Sequence, residues 1–179
     1  MKKVVVIGPE STGKSSLSSQ LAEHYNTVWC PEFAREYLLQ HGKTYDYDDL
    51  LKIAMGQLEL EDIMQTEAMN GIYVIDTDMY VMKVWCEVAF QNCHKWILKQ
   101  IAAREYDLYL LCNVDLPWVA DELREYPELK KRRLIYKMYK DIVINMDGKW
   151  VEISGNYDER FQIAVSAIDT MLRGKPLNG

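Results

Sequence analysis

The chain has 179 residues, the length of one domain, and its 49% apolar content is enough to fill one core. With 27 acidic against 21 basic residues the formal net charge is −6, which argues against a broad nucleic-acid or anionic-membrane surface. No run approaches the ~18 apolar residues of a membrane-spanning helix, and the apolar stretch after Met1-Lys2-Lys3 ends too soon, at Gly8-Pro9-Glu10, for a secretion signal.

Apolar runs at residues 4–7, 27–30, 72–75, 108–112 and 150–153 are separated by longer helical patterns, the rhythm of a five-stranded parallel α/β sheet flanked by helices in one unit over residues 1–179. Directly after the first run stand Gly8, Pro9, Glu10, Ser11, Thr12, Gly13, Lys14 and Ser15, followed by Ser16. This is a full match to the phosphate-binding loop pattern. Backbone N–H groups and the positive end of the next helix favour phosphates there. Lys14 reaches the terminal phosphates, and the Ser15 hydroxyl is suited to magnesium. The expected ligands are ATP and Mg2+. The following helix is expected to bury Leu17, Leu21 and Tyr25.

The second run leads into Pro31-Glu32-Phe33-Ala34-Arg35-Glu36-Tyr37. Glu32 and Arg35 stand one turn apart, where a second substrate would sit beside the first strand. A long helix is expected over residues 48–70, with Leu51, Ala54, Met55 and Leu58 inward and Asn70-Gly71 as its stop. The third run ends in Asp76-Thr77-Asp78, beyond the carboxyl end of a strand, where ligands bind in such sheets. Asp76 is the natural magnesium partner of Ser15. Asp78 is a candidate substrate ligand that can equally cap the next helix. Glu32, Asp76 and Asp78 compete to orient an accepting hydroxyl. Residues 79–104 read as one or two helices.

After the fourth run, residues 113–124 lead into the basic stretch Lys130-Lys131-Arg132-Arg133, and together they suit a closing lid. Arg124 is the first candidate to cover the phosphates, with Arg132 and Arg133 as alternates. Trp85, Trp118, Tyr37 and Tyr80 fall near the expected mouth of the sheet, and a positively charged flat ring would gain from such aromatic faces and nearby carboxylates. Asn156 with Glu159 caps a last helix whose buried stripe is Ile163, Ala167, Ile168 and Met171. The tail Gly174-Lys175-Pro176 is expected to fray. Cys30, Cys86, Cys93 and Cys112 form no CxxC pair, so free thiols and a cytoplasmic location are expected.

Taken together, Gly-Pro-Glu-Ser-Thr-Gly-Lys-Ser, Pro-Glu-Phe-Ala-Arg-Glu-Tyr, Ile-Asp-Thr-Asp and Asp-Leu-Pro-Trp-Val-Ala-Asp-Glu-Leu-Arg resemble the NadR-type ribosylnicotinamide kinase domain, over nearly the whole chain. The resemblance implies a P-loop fold like that of nucleoside and nucleotide kinases. It implies phosphorylation of the 5'-hydroxyl of nicotinamide riboside by ATP to give nicotinamide mononucleotide. By the same resemblance, residues 8–15 hold the ATP phosphates and magnesium, Asp76 is the strand-end acid, Glu32 and Arg35 form the second-strand motif, and Arg124 is the lid arginine. Family members with DNA-binding and adenylyltransferase regions carry them upstream. Because this phosphate loop begins at residue 8, those activities are expected to be absent. A deoxynucleoside kinase is the alternative within the class. A regulatory nucleotide hydrolase is the alternative outside it, although Asn113-Val114-Asp115 lacks the Asn-Lys-x-Asp of guanine-specific switches.

Overall fold

A computed structural model describes residues 1–174. Lys175 and Pro176, part of the tail expected to fray, lie outside the described residues.

Strands β1 (Lys2–Ile7), β2 (Trp29–Cys30), β3 (Ile72–Asp76), β4 (Leu108–Cys112) and β5 (Trp150–Ile153) form one parallel sheet in the order β2-β3-β1-β4-β5. The helices are α1 (Lys14–His24), α2 (Phe33–His41), α3 (Tyr47–Gln65), α4 (Met79–Phe90), α5 (Lys95–Ala103), α6 (Leu129–Asn145) and α7 (Tyr157–Leu172). Side chains alternate across a strand, so β1 supplies both cores. Val4 and Val6 pack with Leu21 and Ile168 under α1 and α7, while Val5 and Ile7 pack with Tyr73 and Tyr139 on the face covered by α6. A third cluster, including Leu50, Ile53 and Met82, joins α2, α3, α4 and α5. β1 lies between β3 and β4, so the chain reverses its direction of travel across the sheet there. The crevice at the carboxyl ends belongs at that point. Among the described residues, no helix is long and apolar enough to cross a membrane.

β1 begins earlier than expected, at Lys2, β3 runs one residue longer, to Asp76, and β2 and α3 differ for identifiable reasons. β2 begins at Trp29, because Thr27 turns its hydroxyl to Ile72 O at 2.9 Å instead of continuing the ladder. α3 starts at Tyr47, capped by Asp46 and Asp49, and ends at Gln65. The Asn70-Gly71 pair is not its stop but a left-handed turn into β3, with Asn70 Nδ2 donating to Tyr25 O and Asn26 O. The inward face of α3 is Leu50, Ile53, Ala54, Gln57, Leu58 and Glu61, so Met55 is exposed and Leu51 only half-buried. Two polar residues on that stripe shifted the apparent periodicity. The last helix carries the expected stripe over Ala167, Ile168 and Met171, with Ala164 inward and Ile163 half-buried.

Candidate active site

The phosphate loop wraps the carboxyl end of β1. Gly8 has φ 145°, and a Cβ there would meet Cys112 O at 2.7 Å, so only glycine lets the loop pass this close to β4. Gly13, at φ 76°, precedes α1 and has no side chain to cap it, whereas α3, α4 and α7 are each capped by Asp or Asn. The first amides of α1 therefore have no helical acceptor behind them and face the loop with the positive end of the dipole, the geometry that favours an anion. Lys14 Nζ donates to Pro9 O at 3.1 Å, which holds the ammonium across the loop. Ser15 Oγ donates to Asp76 Oδ2 at 2.5 Å.

Asp76 and Asp78, two residues apart, face different tasks. Between them Thr77 sits at φ 80°, an uncommon conformation for a β-branched residue, which turns the chain sharply at the strand end. Asp76 is fully buried, and burial pushes its carboxyl above the usual carboxylate range, an effect the Lys14 ammonium opposes. Asp78 accepts from the amides of Tyr80 and Val81 and from the Tyr109 hydroxyl at 3.0 Å, and burial pushes it up to about 7. Of the two roles open to Asp78, the structure places it as the helix cap, behind the cavity wall rather than on it.

A cavity of ≈ 400 Å³ runs from the phosphate loop to the second-strand motif, lined on the far side by Trp29, Glu32, Arg35, Tyr45 and Trp85. Residues 113–128 form no helix or strand, and residues 121–126 of this segment line the cavity. Arg35 makes a bidentate pair with Asp121 at 3.1 and 3.0 Å, so it is engaged with the lid, whereas Glu32 lines the cavity with no such partner among the described residues. Arg124 also lines the cavity and donates to Val119 O within the lid itself. Of its alternates, Arg133 is exposed, while Arg132 is only 4% exposed and its Nε and Nη1 have no partner among the described residues. It shares the α6 stripe with Ile135 and Tyr139, which line the cavity. Among the aromatic candidates, Trp85 lines the cavity and Trp118 anchors the lid, but Tyr37 bonds Asp49 and Tyr80 packs on Tyr109, both off the cavity wall.

Sequence reasoning missed Arg160. Its buried guanidinium donates to Thr12 O at 3.0 Å, to Asn113 O at 3.0 Å, to Gly155 O at 2.8 Å and to the Asp115 carboxylate, pinning the phosphate loop from behind. The available signal was a cation in register with Ala164, Ala167 and Met171. Gln57 was also missed. It receives the Phe33 amide at 2.8 Å and donates to Pro31 O at 3.3 Å, which sets the turn that carries Glu32.

The donor set at Ser15 and Asp76, a hydroxyl and a carboxylate with no sulfur or imidazole, suits a hard cation such as magnesium that takes its remaining oxygens from phosphates and water.

A family model described as AAA domain matches residues 3–160. The chain is 28% identical over 177 residues to the trifunctional NAD biosynthesis/regulator protein NadR of Salmonella typhimurium, and equally to that of Escherichia coli; the match takes in 96% of this chain and 43% of each relative. The chain thus spans less than half the length of these curated relatives. Among solved structures it is similar to a NadR protein in complex with NR, with TM-score 0.74 and 23% identity over 99% of this chain and 52% of that one. It is also similar to deoxyadenosine kinase from M. mycoides, with TM-score 0.59 and 11% identity over 94% of this chain and 99% of that one. The expected resemblance to the NadR-type domain and the expected P-loop kinase fold are both borne out.

Proposed function

Since the chain belongs to the AAA domain family, matched over residues 3–160, we propose that it is an ATP-dependent small-molecule kinase that phosphorylates the 5'-hydroxyl of nicotinamide riboside, acting through one domain in the cytoplasm. The observation that carries this reading is the shared cavity: the phosphate loop and Glu32 line one ≈ 400 Å³ space under one lid. A hydrolase needs only the first half of that space.

In this reading the loop amides and Lys14 hold the ATP phosphates in line with an acceptor between Trp29 and Trp85. Magnesium, when held by Ser15 and Asp76, neutralises charge on the phosphates. Of the three carboxylates that compete to orient the hydroxyl, Asp76 is committed to Ser15 and Asp78 to its helix cap, which favours Glu32. Arg124, which lines the cavity, is favoured as the group that meets phosphate charge, with Arg132 as the alternate, a buried cation with unmet donors on the α6 stripe of cavity-lining Ile135 and Tyr139. The nicotinamide ring is cationic and flat, and it gains from the faces of Trp29, Tyr45 and Trp85 with Glu32 nearby, whereas a neutral nucleobase gains only stacking. That NadR structures are described in complex with NR and with NAD and AMP-PNP supports the choice of acceptor and donor.

The test is ADP release with ATP and magnesium in the presence of nicotinamide riboside, deoxynucleosides or no acceptor, with product mass measured. Stimulation by nicotinamide riboside, with one phosphate added to its mass, is the expected result. Preference for a deoxynucleoside would change the acceptor, and acceptor-independent release would replace the kinase with a regulatory hydrolase.

A further inference from the structure

Glu10 stands inside the phosphate loop, where a negative side chain is electrostatically unfavourable for an arriving polyphosphate. Its carboxylate is not turned to the loop. Oε1 accepts from Trp118 Nε1 at 3.1 Å and from the Tyr126 amide at 2.7 Å, and Oε2 accepts from the Glu125 amide at 2.8 Å. Next to it, Ser11, at φ 56°, accepts from the Val119 amide at 3.0 Å. Four donors of the lid thus end on two adjacent loop side chains. Arg160 anchors the start of the lid at Asn113 and Asp115, and the attachments on the acceptor side are of a different kind. Lys43 to Glu122 is a solvent-screened ion pair, which contributes little, Arg35 holds Asp121 in a bidentate pair between side chains, and Tyr45 donates its hydroxyl to Glu125. Glu10 instead satisfies two backbone amides of a segment with no secondary structure of its own.

We infer that Glu10 is a positioning residue that latches the lid to the phosphate loop, coupling triphosphate occupancy to lid closure and so favouring transfer over hydrolysis; the last step rests on the kinase reading above. With the lid shut, three N–H groups spread the carboxylate charge. With the lid open, that charge stands unmasked beside the phosphates. Triphosphate therefore binds the closed state better, and by linkage it stabilises closure to the same degree. A closed lid keeps water from the phosphates until an acceptor is in place.

The test combines hydrogen exchange at the lid amides, with and without a non-hydrolysable ATP analogue and magnesium, with the ratio of phosphate transferred to nicotinamide riboside over ATP hydrolysed. In Glu10→Ala, exchange at Glu125 and Tyr126 is expected to rise about tenfold or more, as charged hydrogen bonds of this kind are lost, while Val74 in β3 stays unchanged. The ratio of transfer to hydrolysis falls by a similar factor. Glu10→Gln keeps one acceptor oxygen, so the Tyr126 amide stays protected while Glu125 exchanges faster. Unchanged lid exchange in Glu10→Ala, or faster exchange with an unaltered ratio, overturns the inference. A wild-type protein that phosphorylates no acceptor overturns the kinase reading instead, and the lid exchange then decides the Glu10 latch by itself.

Discussion

Ser15 Oγ donates to Asp76 Oδ2 at 2.5 Å, joining the first turn of α1 to the end of β3 across 61 positions of sequence. The pair sets a hydroxyl on the cavity wall against a carboxylate that is fully buried behind it. Removing the charge but not the shape separates its two consequences. In Asp76→Asn, half-saturating magnesium should rise by at least roughly 10-fold, the lower end of the loss seen when groups around a metal's ligands are changed. Thermal stability without metal should rise at pH 8, because a buried charge has gone. Magnesium titration of turnover and a melting curve in chelator check both, and an unchanged metal requirement would leave Asp76 a structural role only.

Lys14 is held across the loop by a main-chain carbonyl, Pro9 O. Lys14→Ala should lower transfer by at least roughly 100-fold, the usual consequence of removing one preorganised donor to a developing charge, with little change in the melting temperature. A steady-state assay on protein whose circular dichroism matches wild type is sufficient. Retained turnover would remove the phosphate-loop mechanism.

Asp78 makes stability depend on pH. An exposed aspartate titrates near ~3.9, but burial raises Asp78 to about 7, so its neutral form is the one the fold favours. The stability this contributes is fully present below the unfolded value and is lost as pH rises through about 7. Between pH 6 and 8 the melting temperature of the wild type should fall, and that of Asp78→Asn should fall less, since asparagine still accepts from the Tyr80 and Val81 amides and can donate to the Tyr109 oxygen. Parallel melting curves for the two proteins would refute the assignment.

Gly56 in α3 lies against the Phe33 ring, where an added Cβ would approach Cε1 to 2.2 Å. Helix propensity alone predicts that Gly56→Ala stabilises by up to ~1 kcal/mol. The clash should reverse the sign, costing about 1 to 3 kcal/mol as the ring is displaced. Because Phe33 follows Glu32, the acceptor KM should rise more than the ATP KM. Urea unfolding and the two KM values test this, and a stabilised variant would show that the ring moves freely.

How far the sequence reaches is visible in the residues themselves. The phosphate loop was legible because its chemistry is local: contiguous residues, each with a backbone task, between a strand and a helix. Asp76 was legible by its position at a strand end. Asp78, two residues on, was not, since cap and ligand use the same side chain and only packing against Tyr109 selects between them. Met55 was misplaced because Gln57 and Glu61 occupy the buried stripe of α3, and Glu61 is neutralised there by Arg104, distant in sequence.

By itself, the sequence determined the five apolar strands, the loop that ends the first, and the family resemblance, because hydrophobic periodicity and loop chemistry are carried by neighbours along the chain. Tertiary structure alone decided which strand lies beside which, that Arg160 braces the loop and that Glu10 turns away from it toward the lid. Those outcomes depend on partners far apart in sequence, from Tyr109 beside Trp150 to Arg160 on Thr12, brought together only when the sheet closes its two cores, and no periodicity encodes a contact at that range.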